Sequence, residues 1–406
     1  MKLRVLADER FTCQSCTNCC RTWHVELMPG EAERIKALAW PEGDPLKGVT
    51  VILEHGGKSY LSRRADGACL FLNESNGLCR IHERFGMSHK PLGCRVFPFQ
   101  VAPTFNGEAS IIGRFDCPTV RQNAGAPHAD ELENLRRLVP QMGVATGFDE
   151  QTCCHLDREQ IEAVCDFILA LMNGFTTDEQ RVLFIAYLCD GLALTAADQL
   201  DREALGGVFT VLKRQVEFAA TEPVKRPNWF IRMAFRTLLG LYMRRDEDVL
   251  NRRVGRFKRV LGLMTIISGF GKFQSLGLSH RSGKLRKARL FRPGPELSDP
   301  AVFGLYWRMV RNRLESFQFM GPANSNRDFL SGLRTLALVY PLVKAVAKFS
   351  AGNRGSDRIE AQDVEYGVEA IEHSYGRLAI LRQPFIRSIE AFLTDRNRFG
   401  QLARTI

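Results

Sequence analysis

Residues 11–20, FTCQSCTNCC, decide how this chain is organised, because they place four cysteines within eight positions. The two-residue spacing of Cys13, Cys16 and Cys19 lets a tight loop turn three sulfurs toward one centre. That geometry suits a zinc ion or an iron–sulfur cluster. Packing alone is a poor explanation for so many thiols, since each adds an oxidation liability. The stretch therefore predicts a cysteine-ligated metal or iron–sulfur module.

The other cysteines extend this prediction over the first 120 residues. A chain of 406 residues without an export signal should keep its thiols reduced, and reduced, clustered cysteines usually bind metal. The predicted metal ligands are Cys13, Cys16, Cys19, Cys20, Cys69, Cys79, Cys94 and Cys117. Eight thiols would fill two four-thiolate sites, although one four-cysteine site plus buried structural thiols fits equally well.

The adjacent pair Cys19 and Cys20 bears on the number of sites. In an extended chain neighbouring side chains point in opposite directions, so we do not expect both thiols to bind one zinc ion. This favours a second site or a larger cluster. Later cysteines fall at or on predicted helices, where we interpret them as packing residues. They are Cys153, Cys154, Cys165 and Cys189.

Charged and histidine side chains lie close to the cysteines in sequence. His24, His82 and His89 are left out of the ligand set, because a lone histidine is more often a hydrogen-bonded structural residue. Arg21 and Arg95 are adjacent to cysteines and could offset thiolate charge. Surface exposure is the simpler interpretation for both arginines.

The sequence predicts an α+β fold. In the first part, residues 49–53 and 59–62 flank a Gly-Gly turn, and residues 99–105 and 109–115 flank Asn-Gly, so two β-hairpins are expected. A helix from Glu31 to about Ala39 follows Pro29-Gly30. Beyond residue 129 amphipathic periodicity predicts helices. These are 131–142, 157–172, 177–194, 202–219, 229–245, 250–267, 300–317, 327–350, 357–381 and 384–399.

We expect three regions along the chain: a small cysteine-rich module with short β-hairpins at 1–124, a helical domain at 125–280, and a C-terminal helical region with a basic linker at 281–406. Together the last two make a mostly α-helical region. A loop of Gly, Ala and Pro at 122–127 marks the first boundary.

The net charge of +11 comes from one basic segment. Residues 251–320 hold 15 Arg or Lys and three acids, 15 − 3 = +12. An acidic protein, a nucleic acid or a membrane surface would suit such a segment. We interpret it as a solvated helix face and a basic loop, and expect no nucleic-acid partner, because charge runs alone are poorly specific.

The apolar stretches bear on localisation. The N-terminus lacks the apolar run of a secretory signal, so we expect a cytoplasmic protein. The longest run, 260–270, is shorter than the roughly 20 residues that cross a bilayer. Because Pro341 and Lys344 interrupt the next candidate, we expect no transmembrane segment. Oligomeric state is left open.

Four segments carry a family resemblance. They are the cysteines of 13–20, then CLFL at 69–72, CRIH at 79–82 and KPLGCRVFPF at 90–99. In order, spacing and flanking residues they resemble the CxxCxxCC family of zinc- or iron-chelating proteins. The resemblance covers roughly residues 11–120 and implies zinc or an iron–sulfur cluster as the cofactor.

The general plan is also similar to that of bacterial flagellin lysine-N-methylases, which place a cysteine-rich module before a long helical region. That resemblance implies an S-adenosylmethionine-dependent protein lysine N-methyltransferase with a protein substrate such as flagellin. No Rossmann-type glycine loop marks a methyltransferase site here. The alternative is a non-catalytic protein-interaction module whose metal stabilises a small β domain that lacks enough core.

Overall fold

The computed structural model describes residues 2–105, 107–143, 147–195, 202–243, 264, 268–269, 290–291 and 295–406. These residues confirm the predicted α+β class, with short strands and hairpins first and a mostly helical region after them. The predicted helix 250–267 and most of the basic linker after residue 280 lie outside the described residues. The three predicted regions stay predictions.

Short strands form two small sheets in the N-terminal part. The strands are β1 (Lys2–Val5), β2 (Ile52–His55), β3 (Lys58–Leu61), β4 (Phe99–Pro103) and β5 (Glu108–Gly113). The pairs β2–β3 and β4–β5 are the two predicted hairpins, and both are antiparallel. β1 pairs in parallel with β5, giving the order β1-β5-β4. The sequence analysis did not predict β1, since parallel pairing with a distant strand leaves no local turn signal.

Five short helices connect these strands. They are α1 (Asn18–Thr22), α2 (Glu31–Lys36), α3 (Arg80–Phe85), α4 (Leu92–Val96) and α5 (Pro118–Gln122). Only α2 was predicted, and it ends before Ala39. The other four have five or six residues, too few for an amphipathic period to be visible in the sequence. They carry or adjoin most of the cysteines.

Helices dominate the remainder of the described chain. They are α6 (Leu132–Leu138), α7 (Arg158–Met172), α8 (Asp178–Leu194), α9 (Arg202–Thr221), α10 (Trp229–Tyr242), α11 (Gly304–Glu315), α12 (Phe329–Asn353), α13 (Ala361–Ser374), α14 (Pro384–Leu393) and α15 (Arg396–Thr405). Two-residue strands β6 (Glu296–Leu297) and β7 (Arg358–Ile359) pair in parallel. The predicted helix 384–399 is in fact two helices, because the Asp395 side chain caps the N-terminus of α15.

The N-terminal sheet packs against both α4 and α6. Leu92 and Val96 of α4 lie in one apolar cluster with Ile111 of β5 and with Leu135 and Leu138 of α6. The backbone N–H of Phe11 also donates to the carbonyl of Ala126 at 2.8 Å. The chain just after residue 124 therefore packs against the β1-β5-β4 sheet of the N-terminal part.

Helix α12 is the centre of the helical core. It packs against α8 and α13 and continues through Pro341, which confirms the helix predicted over residues 327–350. Dense packing offsets the missing hydrogen bond, since Pro341 is buried within the helix. By length and composition α12 could cross a bilayer, but 78% of its most apolar window is buried inside the protein. That burial is typical of a core helix.

A capping box starts α8, and its removal gives a measurable effect. The Thr177 hydroxyl accepts the backbone N–H of Gln180, and the Gln180 side chain accepts that of Thr177, both at 3.2 Å. We expect Thr177→Ala to lower the free energy of unfolding in urea by about 1 kcal/mol. Thr210→Ala, at an exposed position inside α9, is the matched control. Equal effects of the two substitutions would contradict the capping role.

Candidate metal centre

A tight turn holds the loop with the first four cysteines. Ser15 and Thr17 have left-handed φ angles of 51° and 62°, and α1 begins immediately after Thr17. Gly77, at φ 73°, packs against this turn so closely that a Cβ there would lie 2.8 Å from the Ser15 carbonyl oxygen. The turn leaves Cys13 and Cys16 exposed.

Four half-buried thiols from separate segments come together next to α1. They belong to Cys19 in α1, Cys69 in the loop after β3, Cys79 at the N-cap of α3 and Cys94 in α4. The thiolate charges of Cys69, Cys79 and Cys19 raise the pKa of Cys94. Those of Cys79 and Cys19 likewise raise the pKa of Cys69, as expected of neighbouring thiols. We call these four residues the inner thiol group.

Burial disfavours the thiolate form of cysteines in the inner thiol group when no cation is bound. Desolvation raises the pKa of Cys69 to about 11 and holds that of Cys94 well above its usual value, and neighbouring thiolates add to both shifts. A hydrogen bond with Cys20 and then burial raise the pKa of Cys19. The thiols of Cys19, Cys69 and Cys94 therefore keep their protons at neutral pH unless a cation replaces them.

A second set of thiols lies on the other side of the loop. Cys16 interacts with the charges of Cys19 and Cys13, and Cys117, at the N-cap of α5, interacts with Cys16. Burial raises the pKa of Cys117 to about 12. We call Cys13, Cys16 and Cys117 the outer thiol group. Cys19 links the two groups, and Cys20 lies against it.

The loops direct backbone N–H groups at three of the sulfurs. In each case the donor includes the residue two positions after the cysteine: Asn18 for Cys16, Phe71 for Cys69, and Thr119 together with Val120 for Cys117. Such bonds stabilise the thiolate over the thiol and tune metal-bound sulfur.

Two cations that the sequence analysis missed lie near the inner thiol group. The positive charge of Lys90 lowers the pKa of Cys19 and of Cys94, and that of Arg63 lowers the pKa of Cys69. The Arg63 guanidinium is fixed by bonds of 2.5 Å to the carbonyl oxygens of Gly67 and Arg21. Proximity in sequence to Cys94 could have indicated Lys90, whereas only the fold brings Arg63 to Cys69.

Comparison with known proteins gives one family match. Residues 12–118 match the CxxCxxCC family model. Its description is a putative zinc- or iron-chelating domain. The match spans all eight predicted ligands and confirms the resemblance for this part of the chain, without bearing on the flagellin methylases. Comparison with curated proteins and with solved structures gives no match.

Within the CxxCxxCC segment one expectation is wrong. The Cys19 and Cys20 side chains do not point apart, because both residues are helical and their thiols hydrogen bond. Successive side chains in a helix diverge by about 100° rather than 180°. The cysteines after the CxxCxxCC segment were predicted to be packing residues. They lie in the helical core, where Cys153, Cys165 and Cys189 are buried.

The donor chemistry of the CxxCxxCC segment fits a soft or borderline metal. Thiolate sulfur is a preferred ligand of zinc and of iron–sulfur clusters. Among the residues that the structure describes, no three His, Cys, Asp or Glu side chains stand at the mutual distances of a metal site. Metal binding would therefore require the thiols to move closer to one another, and the ligand set stays a prediction.

Proposed function

We propose that residues 12–118 bind zinc or iron through the inner thiol group, with the outer thiol group as a second set of ligands. The observation that carries this proposal is the convergence of Cys19, Cys69, Cys79 and Cys94 from four separate segments. Each of these segments is short and has little core of its own, so a shared ion would cross-link all four.

Charge supports the same assignment. A divalent cation would favour the thiolates that burial disfavours, and Lys90 and Arg63 already reduce the repulsion among them. Four thiolates match a closed tetrahedral zinc site or the ligands of a cluster. The outer thiol group has three thiols, two of them exposed, which would leave one coordination position open to a further ligand.

Metal analysis of the anaerobically purified, reduced chain tests this proposal. Brown protein that contains iron and sulfide would identify an iron–sulfur cluster, whereas colourless protein with stoichiometric zinc would identify a zinc site. Both results support chelation. A stably folded, reduced protein that contains neither metal would contradict it.

A finer proposal rests on the resemblance to flagellin lysine-N-methylases. In it the chain is a cytoplasmic enzyme that transfers methyl groups from S-adenosylmethionine to lysine side chains of a protein such as flagellin. The metal would supply a Lewis acid or an electrostatic anchor if one coordination position stays open. Isothermal calorimetry with S-adenosylmethionine tests this activity, and an absence of binding heat would contradict it.

The competing proposal is a non-catalytic interaction module with a structural metal. Cys69, Cys79 and Cys94 pack against a small apolar cluster that includes Ile35 and Phe71, and this supports a stabilising role for the ion. Removal of the metal by an added chelator should then lower the melting temperature of the protein. Loss of metal with an unchanged melting temperature would contradict a structural role.

A further inference from the structure

A cavity of about 440 Å³ lies between the N-terminal module and the last helices. Leu92, Gly93 and Val96 of α4, together with Trp23 and Phe97, form one wall. Residues of β4 and the segment after α13 form the others. This volume falls within the range of roughly 300–1,000 Å³ that is typical of small-molecule sites.

Aromatic rings give the first wall a flat apolar surface. The rings of Trp23 and Phe97 lie 5.4 Å apart at a tilt of 32°. Gly93 allows this arrangement, because a Cβ there would lie 3.0 Å from the Trp23 ring. The Arg114 guanidinium lies over both rings, at 5.5 Å and 5.2 Å from their centres.

Arginines give the cavity its polar character. Arg114, Arg377 and Arg382 all line it. Arg377 is held in place by donation to Gln100 Oε1 at 3.1 Å and to the carbonyl oxygen of His373 at 3.3 Å. Arg382 is exposed and forms no ion pair with any residue that the structure describes.

Acidic groups do not balance these arginines. Asp116 pairs with Arg114, and Glu372, behind the cavity, pairs with both Arg313 and Arg377. Glu26 lines the cavity but pairs with Lys58 at 2.8 Å. The lining of the cavity therefore holds three arginines and one carboxylate, that of Glu26. Burial and the nearby cation of Arg114 lower the pKa of Arg377 to about 10, which an anion beside it would reverse.

We propose that this cavity binds an organic anion whose carboxylate, phosphate or sulfonate lies beside Arg377 and Arg382 and whose planar apolar part packs against Trp23 and Phe97. The rings of Trp23 and Phe97 and the guanidinium groups of Arg377 and Arg382 all line this one cavity. Cys94 does not line the cavity, so binding does not require a metal. The ligand would nevertheless lie close to the inner thiol group, because Gly93, which lines the cavity, precedes Cys94 in α4.

Fluorescence titration of the full chain with 1-anilinonaphthalene-8-sulfonate tests the proposal, since this probe joins a sulfonate to planar rings. We expect saturable one-site binding that Arg382→Gln weakens by roughly three- to tenfold, the effect of one partly exposed charge. Arg136→Gln, an exposed arginine of α6 outside the cavity, should leave the affinity unchanged.

Two further measurements make the test decisive. N-phenyl-1-naphthylamine has the same rings without the sulfonate, and we expect it to bind more weakly than the anionic probe. Equal affinity of the two probes, or equal affinity of wild type and Arg382→Gln, would overturn the proposal. Metal content, measured in the same samples, separates a failure here from a failure of metal binding.

Discussion

Replacing Cys94 by serine is expected to remove the metal from the N-terminal module. Serine is close in size, but its hydroxyl does not ionise near neutral pH and cannot supply the fourth thiolate of the inner thiol group. Because thiolate ligands supply most of the affinity of such sites, we expect metal affinity to fall by more than about a hundredfold. Elemental analysis of the purified variant, with chelator competition for the affinity, measures the loss.

Two other serine variants define the assignment. Cys16→Ser, in the outer thiol group, should also lose metal. Cys165→Ser is the matched control, since Cys165 lies inside α7, after the CxxCxxCC segment, and is buried in the helical core. It should keep its full metal content even if the buried hydroxyl lowers stability by about 1–3 kcal/mol. The same metal content in all three variants would refute the predicted ligand set.

The substitution Arg313→Leu is expected to be among the most destabilising in the chain. Arg313 and Glu372 form an ion pair whose side chains are 1% and 0% exposed, and Arg313 also lies 4.0 Å from the centre of the Tyr375 ring. Among the described residues, removing the guanidinium leaves the buried Glu372 carboxylate with Arg377, at 3.6 Å, as its remaining cationic partner. Loss of one partner of a buried pair costs about 3–5 kcal/mol. Urea unfolding measures the loss.

An exposed ion pair provides the control for this experiment. Arg137 and Glu133 pair on α6 with side chains that are 72% and 82% exposed. Arg137→Ala should therefore cost less than about 1 kcal/mol. The double substitution Arg313→Leu with Glu372→Leu should recover part of the stability, because no charge then remains unpaired. If Arg313→Leu cost no more than Arg137→Ala, the pair would not have the role that its burial implies.

Local patterns in the sequence were sufficient to predict most of the longer helices and both hairpins. The Gly-Gly and Asn-Gly turns predicted both hairpins, and the 3.6-residue period predicted the long helices such as α8 and α12. These signals are contained in a few neighbouring residues, so no knowledge of the fold is needed to recognise them. The dense cysteine spacing likewise indicated the metal-binding segment, which the CxxCxxCC match supports.

The tertiary structure decided what depends on distant residues. It separated seven of the eight cysteines into two groups, made Cys19 and Cys20 helical neighbours, and placed Arg63 beside Cys69. It also formed the cavity between α4 and the segment after α13. Sequence alone determined which side chains could bind metal, because ligand chemistry belongs to the residue type. Which of them share a centre depended on chain segments that meet only through long-range packing.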